Sequence, residues 1–178
     1  MSDVLAVEAR ASLTYWKKWR GFEISFKGTD VPSSWRTFAT RNNSFLLKSG
    51  RRAQVFMSRN AIHPLNAIMN YAYAVVLAQV TRAIVGLGLD PCYGFLHVDK
   101  PGRVSFAYDI LELLRVRVDK VVFGYARARR FDRSDFPEVE GGVVRLSARM
   151  AREIAALMLR DISFHECERA VRSVGKRL

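Results

Sequence analysis

Cysteine is scarce in this chain: two in 178 residues, Cys92 and Cys167, with neither metal-site nor redox spacing. That excludes a disulfide-stapled scaffold and a cysteine-held zinc site, and it fits a reducing compartment. Carboxylates are outnumbered, 17 Asp and Glu against 29 Lys and Arg, for a formal net charge of +12. A surplus this large in so short a chain points to a polyanionic partner, nucleic acid before an acidic membrane surface. No apolar run is uninterrupted at membrane length. The longest, Pro64 to Leu89, is broken by Asn66, Asn70, Gln79, Thr81 and Arg82, so it reads as a buried helix and not a span. The opening "MSDVLAVEARASLTYWKKWR" has no basic segment ahead of an apolar run, so no signal peptide and no membrane partner are expected. Internal repeats and low-complexity tracts are missing too. What is present is a 49% hydrophobic composition, enough for one compact domain with a real core.

Turn residues divide the chain. Residues Val4 to Arg20 contain no Gly or Pro and read as a helix. From Gly21 to Arg52, "KGTDVPSS", "RNNS" and "SGRR" predict loops and short pieces. Pro64 suits the first turn of a helix, with Gly86 and Gly88 at its end. "CYGFLHV" is short and irregular or extended, and "DKPGR" is a turn. Ser105 is a candidate N-cap for a helix running to about Phe123. "RARRFDRSDFPEVEGG" is a basic, then acidic, loop. Two helices close the chain, one over about Ser147 to Arg160 and one opened by Ser163 and Glu166 in capping-box spacing. The expected fold is all-α, a single helical domain over residues 1–178 with at most a minor strand.

Three acids and one histidine stand out. On the first helix Val4, Leu5, Ala11, Ser12, Tyr15, Trp16 and Trp19 share one side, and Glu8 falls in its middle. A carboxylate there is costly unless paired with an arginine, protonated or bound to a cation. On the helix after Ser105 the main apolar stripe is Ala107, Ile110, Leu111, Leu114, Val118, Val121 and Val122. Asp109 and Glu112 lie opposite it, with Leu113, Val116 and Phe123 on their side. A helix apolar nearly all round is central and buried, so the two acids are expected to converge on a lined cleft. Either a cation or Arg115, one turn after Glu112, relieves their repulsion. His97 lies 12 residues before Asp109, and the turn at "DKPGR" can fold it back over the helix. His63 and His165 read as structural or surface residues. One imidazole with two or three carboxylates suits Mn²⁺ or Mg²⁺ better than structural zinc, and such an ion can activate a hydroxyl for in-line attack at phosphorus.

"PLNAIMNYAYAVVLAQVTRAIVGLGLDPCYGFLH", followed by "SFAYDILELLRVRVD", resembles the CRISPR-associated integrase family, Cas protein one. The shared pattern is a Pro-x-Asn-Ala helix with an Asn-Tyr-x-Tyr-Ala core, then Gly-Leu-Asp-Pro, Gly-Phe-Leu-His and a Tyr-Asp helix carrying an acid and an Arg. "EARASLTYWKKW" resembles its Glu-containing helix. The resemblance spans about Leu5 to Val122. It implies a metal-dependent DNA endonuclease and integrase, in which Glu8, His97 and Glu112 bind one Mn²⁺ or Mg²⁺. Asp109 matches a further acid important for activity, Tyr108 a tyrosine beside it, and Arg115 a basic residue placed against a phosphate. The implied reaction is attack by a DNA 3′-hydroxyl on a phosphodiester at the edge of a CRISPR repeat, with nicking of branched DNA at the same site. The implied partners are branched or double-stranded DNA (repeat and spacer precursor), Cas protein two and a second copy of the chain, in a prokaryotic cytoplasm.

Three features depart from the family's pattern. Only seven residues precede Glu8, so the family's N-terminal β-rich domain is expected to be absent. Ala72 stands where the family often has Gly, and Val116 where a Pro often follows the Arg. Arg127, Arg129 and Arg130 are candidates to neutralise DNA phosphates, or else form a solvated loop. The alternative to an enzyme is a basic helical module that holds DNA or a Cas partner without cutting. A helical phosphohydrolase acting on nucleotides is weaker, since the chain has no His-Asp dipeptide.

Overall fold

A computed structural model describes residues 14–15, 19–38, 61–96 and 102–175. Glu8 and His97 lie outside the described residues, as does most of the first predicted helix, of which Thr14 and Tyr15 are helical. The described residues are mostly helical, as expected for an all-α protein. Their α-helices are α1 (Pro64–Gly86), α2 (Ser105–Ala128), α3 (Ala148–Asp161) and α4 (Phe164–Gly175). The strands are two residues each: β1 (Ser25–Phe26), β2 (Arg130–Phe131), β3 (Glu138–Val139) and β4 (Val143–Val144). The chain divides into two compact units, one of Met1–Ala67 with Ala126–Ser147, the other of Ile68–Tyr125 with Ala148–Leu178.

In the first unit β1 pairs in parallel with β2, Phe26 opposite Phe131. The pairing gathers Phe26, Trp35, Phe131 and Phe136, whose ring centroids lie 5.2 to 6.2 Å apart in tilted and edge-on pairs. All four rings are buried. The Arg133 guanidinium covers the Trp35 ring at 4.4 Å. The stretch expected to be a basic, then acidic, loop therefore carries two short strands and a 3₁₀ turn. Asp132 and Asp135 reciprocally cap a single 3₁₀ turn, and β3 turns back on β4 through Gly141 and Gly142, both at positive φ.

His63 sets the start of α1. Its Nδ1 accepts the Leu65 N–H at 3.1 Å, and its ring stands edge-on to Phe38 with centroids 5.4 Å apart. An imidazole used as an acceptor must be neutral at that nitrogen. Burial pushes it from 6.5 down to about 4, with the Trp35 backbone opposing in part. Between those values the unfolded chain binds a proton that the folded chain refuses, so stability rises with pH across the window and levels off above it. Lowering the pH from 7 to 4 is expected to remove on the order of 3 kcal/mol through this group. Urea unfolding at the two pH values checks it, because His63→Asn keeps a capping acceptor and loses that part of the slope.

In the second unit α1 buries Ile68, Met69, Ala72, Val76, Val80, Ala83 and Ile84, a stripe at helical spacing. It ends in a Schellman motif: Leu89 N–H bonds the Ile84 carbonyl at 3.1 Å and Gly88 N–H the Val85 carbonyl at 2.9 Å. Gly88 takes φ 74°, where a glycine carries no Cβ penalty. By length and composition alone α1 could cross a membrane, but its stripe is buried in the protein, as in a core helix. At α4 the expected capping box forms, with Glu166 N–H on Ser163 Oγ at 3.3 Å and Ser163 N–H on Glu166 Oε2 at 3.1 Å. Glu166 also pairs with Arg117 of α2, tying α4 to that helix.

The helix α2 continues through Ala128, five residues past its expected end. Val118, Val122 and Ala126 keep one stripe buried, which outweighs the roughly 1 kcal/mol cost of Gly124 inside a helix. Its start is shifted as well. Ser105 is the first helical residue and not the cap, since Tyr108 N–H already bonds the Val104 carbonyl.

Candidate functional site

The loop between α1 and α2 is stitched to the first turns of α2. The amides of Phe106 and Ala107, which have no partner within their own helix, donate to the Pro91 carbonyl at 2.9 and 3.3 Å. Cys92 N–H donates to Asp90 Oδ1 at 2.8 Å. The Phe95 ring meets Phe106 edge-on, centroids 6.3 Å apart. Asp109 completes the attachment: a single oxygen, Oδ2, accepts the N–H of Phe95 at 2.6 Å and of Leu96 at 3.0 Å. Asp109 is only 1% exposed, and a buried carboxylate is stable only when hydrogen-bonded in this way.

One turn further on, Glu112 is half-buried and forms an ion pair with Arg115 at 2.6 Å. The Arg115 guanidinium also covers the Tyr73 ring at 5.6 Å, and the Tyr73 hydroxyl donates to the buried carboxylate of Asp119. The Nε of Arg115 is buried without a hydrogen-bond partner. Of the two acids predicted to converge on one cleft, Asp109 accepts from the loop backbone and Glu112 pairs with an arginine. The helix α2 is not buried all round: Leu113 and Val116 on the acids' side are 58% and 68% exposed. Of the three apolar residues that had suggested a covered face, Phe123 is buried and Leu113 and Val116 are exposed.

Tyr108 is half-buried beneath the Arg103 guanidinium at 5.2 Å. Arg127 and Arg129, in the first unit, rest on the rings of Phe22 and Phe131 at 5.7 and 5.6 Å. Arg130 is exposed on β2. As expected, His165 is a surface residue, 3.4 Å from Glu168. Cys167 is buried, and that burial pushes its thiol up to about 11. Among the described residues no three His, Cys, Asp or Glu side chains group into a metal site.

Residue-by-residue reading did not single out the Tyr73–Asp119 pair. Its only signal was an acid beside Val118 in an apolar stripe. Also missed was a groove between α2 and α3 lined by Arg117, Lys120, Tyr125, Leu157 and Arg160.

The model of CRISPR associated protein Cas1 matches residues 1–159. The chain belongs to the Cas1 family. A Cas1 endonuclease of Pyrobaculum aerophilum is 31% identical over an alignment of 183 positions, covering 99% of this chain and 48% of that protein. One from Archaeoglobus fulgidus is 34% identical over 158 residues, covering 88% of this chain and 40% of its own length. One from Korarchaeum cryptofilum is 41% identical over 78 residues, covering 44% and 23%. This chain therefore spans less than half the length of these Cas1 relatives. Among solved structures, a casposase bound to integration product superposes with a TM-score of 0.66 at 27% identity, over 81% of this chain and 42% of that one.

Proposed function

We propose that this Cas1 chain is a metal-dependent DNA endonuclease and integrase of CRISPR spacer acquisition. It would join a DNA 3′-hydroxyl to a phosphodiester at a repeat end, and nick branched DNA at the same site. The observation that carries the reading is the attachment of the loop to α2. Asp109 holds Phe95 and Leu96 against the helix that bears Glu112, and His97 is the next residue in the chain. Glu8, His97 and Glu112 would hold one Mn²⁺ or Mg²⁺. The donor set of one imidazole and two carboxylates fits such an ion. The half-buried position of Glu112 beside a guanidinium also fits, because that carboxylate already neutralises one cation. When bound, the metal supplies Lewis acidity at phosphorus and a lowered pKa for the attacking hydroxyl.

The chain's own groups do the rest. Glu112 would hold the metal in place of Arg115, whose guanidinium would then be available beside the site to meet a phosphate oxygen. Tyr73, bonded to Asp119, supports that guanidinium from below. Tyr108, Arg127, Arg129 and Arg130 would contact the DNA backbone, with Arg117, Lys120 and Arg160 adding positive charge along their groove. DNA, a second copy and Cas protein two are the partners on this reading.

The test is nicking of a branched DNA duplex by the full chain, with Mn²⁺ and with chelator. Cleavage is expected only with metal, and is lost in Glu8→Ala and His97→Ala. If both variants cut as well as the unaltered protein, the metal site is misassigned. Tight, strongly salt-dependent binding with no cleavage under any metal would make the chain a DNA-holding module.

A further inference from the structure

Asp109 lies on the first turns of α2, and one of its carboxylate oxygens is given over to backbone amides. Both bonds to Phe95 and Leu96 fall on one oxygen, and the residue is nine-tenths or more shielded from solvent. The amides it holds are consecutive and immediately precede His97. Phe95 is fixed a second time by its ring contact with Phe106, the residue three before Asp109 on the same helix. Pro91, at the other end of the loop, is bonded to the amides of Phe106 and Ala107. Residues 91–96 are thus clamped at both ends to the first turns of α2, and Asp109 holds the end that precedes His97 in sequence.

We propose that Asp109 is a positioning residue: its carboxylate fixes the backbone that leads into His97, and it acts on the chemistry only through that histidine. This rests on the proposed function for its link to metal and DNA, but the clamp itself can be measured without either. Two consecutive N–H groups on one carboxylate oxygen hold the chain in a single direction. A histidine presented from such a backbone loses less freedom when it meets a metal, which is how groups outside the ligand set tune affinity.

Asparagine separates this role from the others. Its side-chain oxygen can accept both N–H bonds where Oδ2 now does, while the negative charge is gone. Alanine removes both bonds. The amide exchange rates of Phe95 and Leu96 by nuclear magnetic resonance, and Mn²⁺ affinity by electron paramagnetic resonance, are compared in the unaltered chain, Asp109→Asn and Asp109→Ala. A thermal melt establishes that each variant folds. Asp109→Asn is expected to keep slow exchange at both amides and to weaken Mn²⁺ binding no more than about fivefold, the difference between a charged and a neutral acceptor. Asp109→Ala is expected to speed exchange at both amides and weaken Mn²⁺ binding roughly 10- to 100-fold. In a His97→Ala background the alanine should add little, because the two residues act as one unit.

Unchanged exchange in Asp109→Ala overturns the proposal. So does an Asp109→Asn variant that binds Mn²⁺ as poorly as Asp109→Ala with its amides still protected, for then the charge itself acts on the metal. If the unaltered chain binds no Mn²⁺, the proposed function fails together with the link to chemistry, and the exchange rates still decide whether Asp109 holds the backbone.

Discussion

Alanine at Glu112 is expected to lower Mn²⁺-dependent nicking of branched DNA by about 10³-fold or more, the several kcal/mol that a bound divalent ion supplies at phosphorus. Two losses combine. A ligand disappears, and Arg115, whose Nε is already buried without a partner, keeps its charge with no carboxylate beside it. An uncompensated guanidinium repels the incoming cation as well. Single-turnover nicking at several Mn²⁺ concentrations measures the effect, and high metal should not restore the rate. Arg115→Gln provides the contrast. Removing the guanidinium frees Glu112 from its competitor, so Mn²⁺ affinity should hold or rise. If Arg115→Gln weakens metal binding as much as Glu112→Ala does, the ion pair orients Glu112 instead of competing for it, and the exchange of partners proposed above is wrong.

The largest effect on stability is expected at Phe131. Its ring is fully buried, 5.2 Å from Phe136 and 6.1 Å from Phe26, with the Arg129 guanidinium over one face. Phe131→Ala should cost about 3–5 kcal/mol by urea unfolding, a large share of the roughly 5–15 kcal/mol that holds a domain together. The loss should be concentrated in amides of the first unit, read by hydrogen exchange, because that is where the four rings meet. Phe131→Leu should recover part of it. A cost below about 1 kcal/mol would mean that the cluster closes over the gap and is not the core of that unit.

The helices whose ends carry their own chemistry were the most legible in the sequence. Pro64 and Gly88 bracket α1, and Ser163 with Glu166 opens α4; each end is made by residues within a few positions of one another. The Glu112–Arg115 pair was equally readable, since i,i+3 neighbours share a helix face. What escaped was non-local or too short to have a period. Two-residue strands cannot show alternation, so the aromatic cluster around Phe131 was hidden in what looked like a charged loop. The Tyr73–Asp119 bond joins residues 46 apart, and no local pattern names such a partner. The face of Asp109 and Glu112 was legible only in part, because hydrophobic residues on one side of a helix do not say whether anything covers them; Asp109 and Phe123 are buried, whereas Leu113 and Val116 face solvent. The α2 helix outran its expected end because a continuous buried stripe outweighed one glycine.

The two thiols differ enough to serve as a measuring device. Cys167 is buried and its thiol is held protonated well above neutral pH, whereas Cys92 is exposed and sits in the clamped loop, three residues before Phe95. A maleimide nitroxide added at pH 7 should therefore attach at one place, without engineering the chain. Mn²⁺ is paramagnetic, so its arrival near such a label would broaden the nitroxide spectrum directly, reporting occupancy in the absence of any nucleic acid.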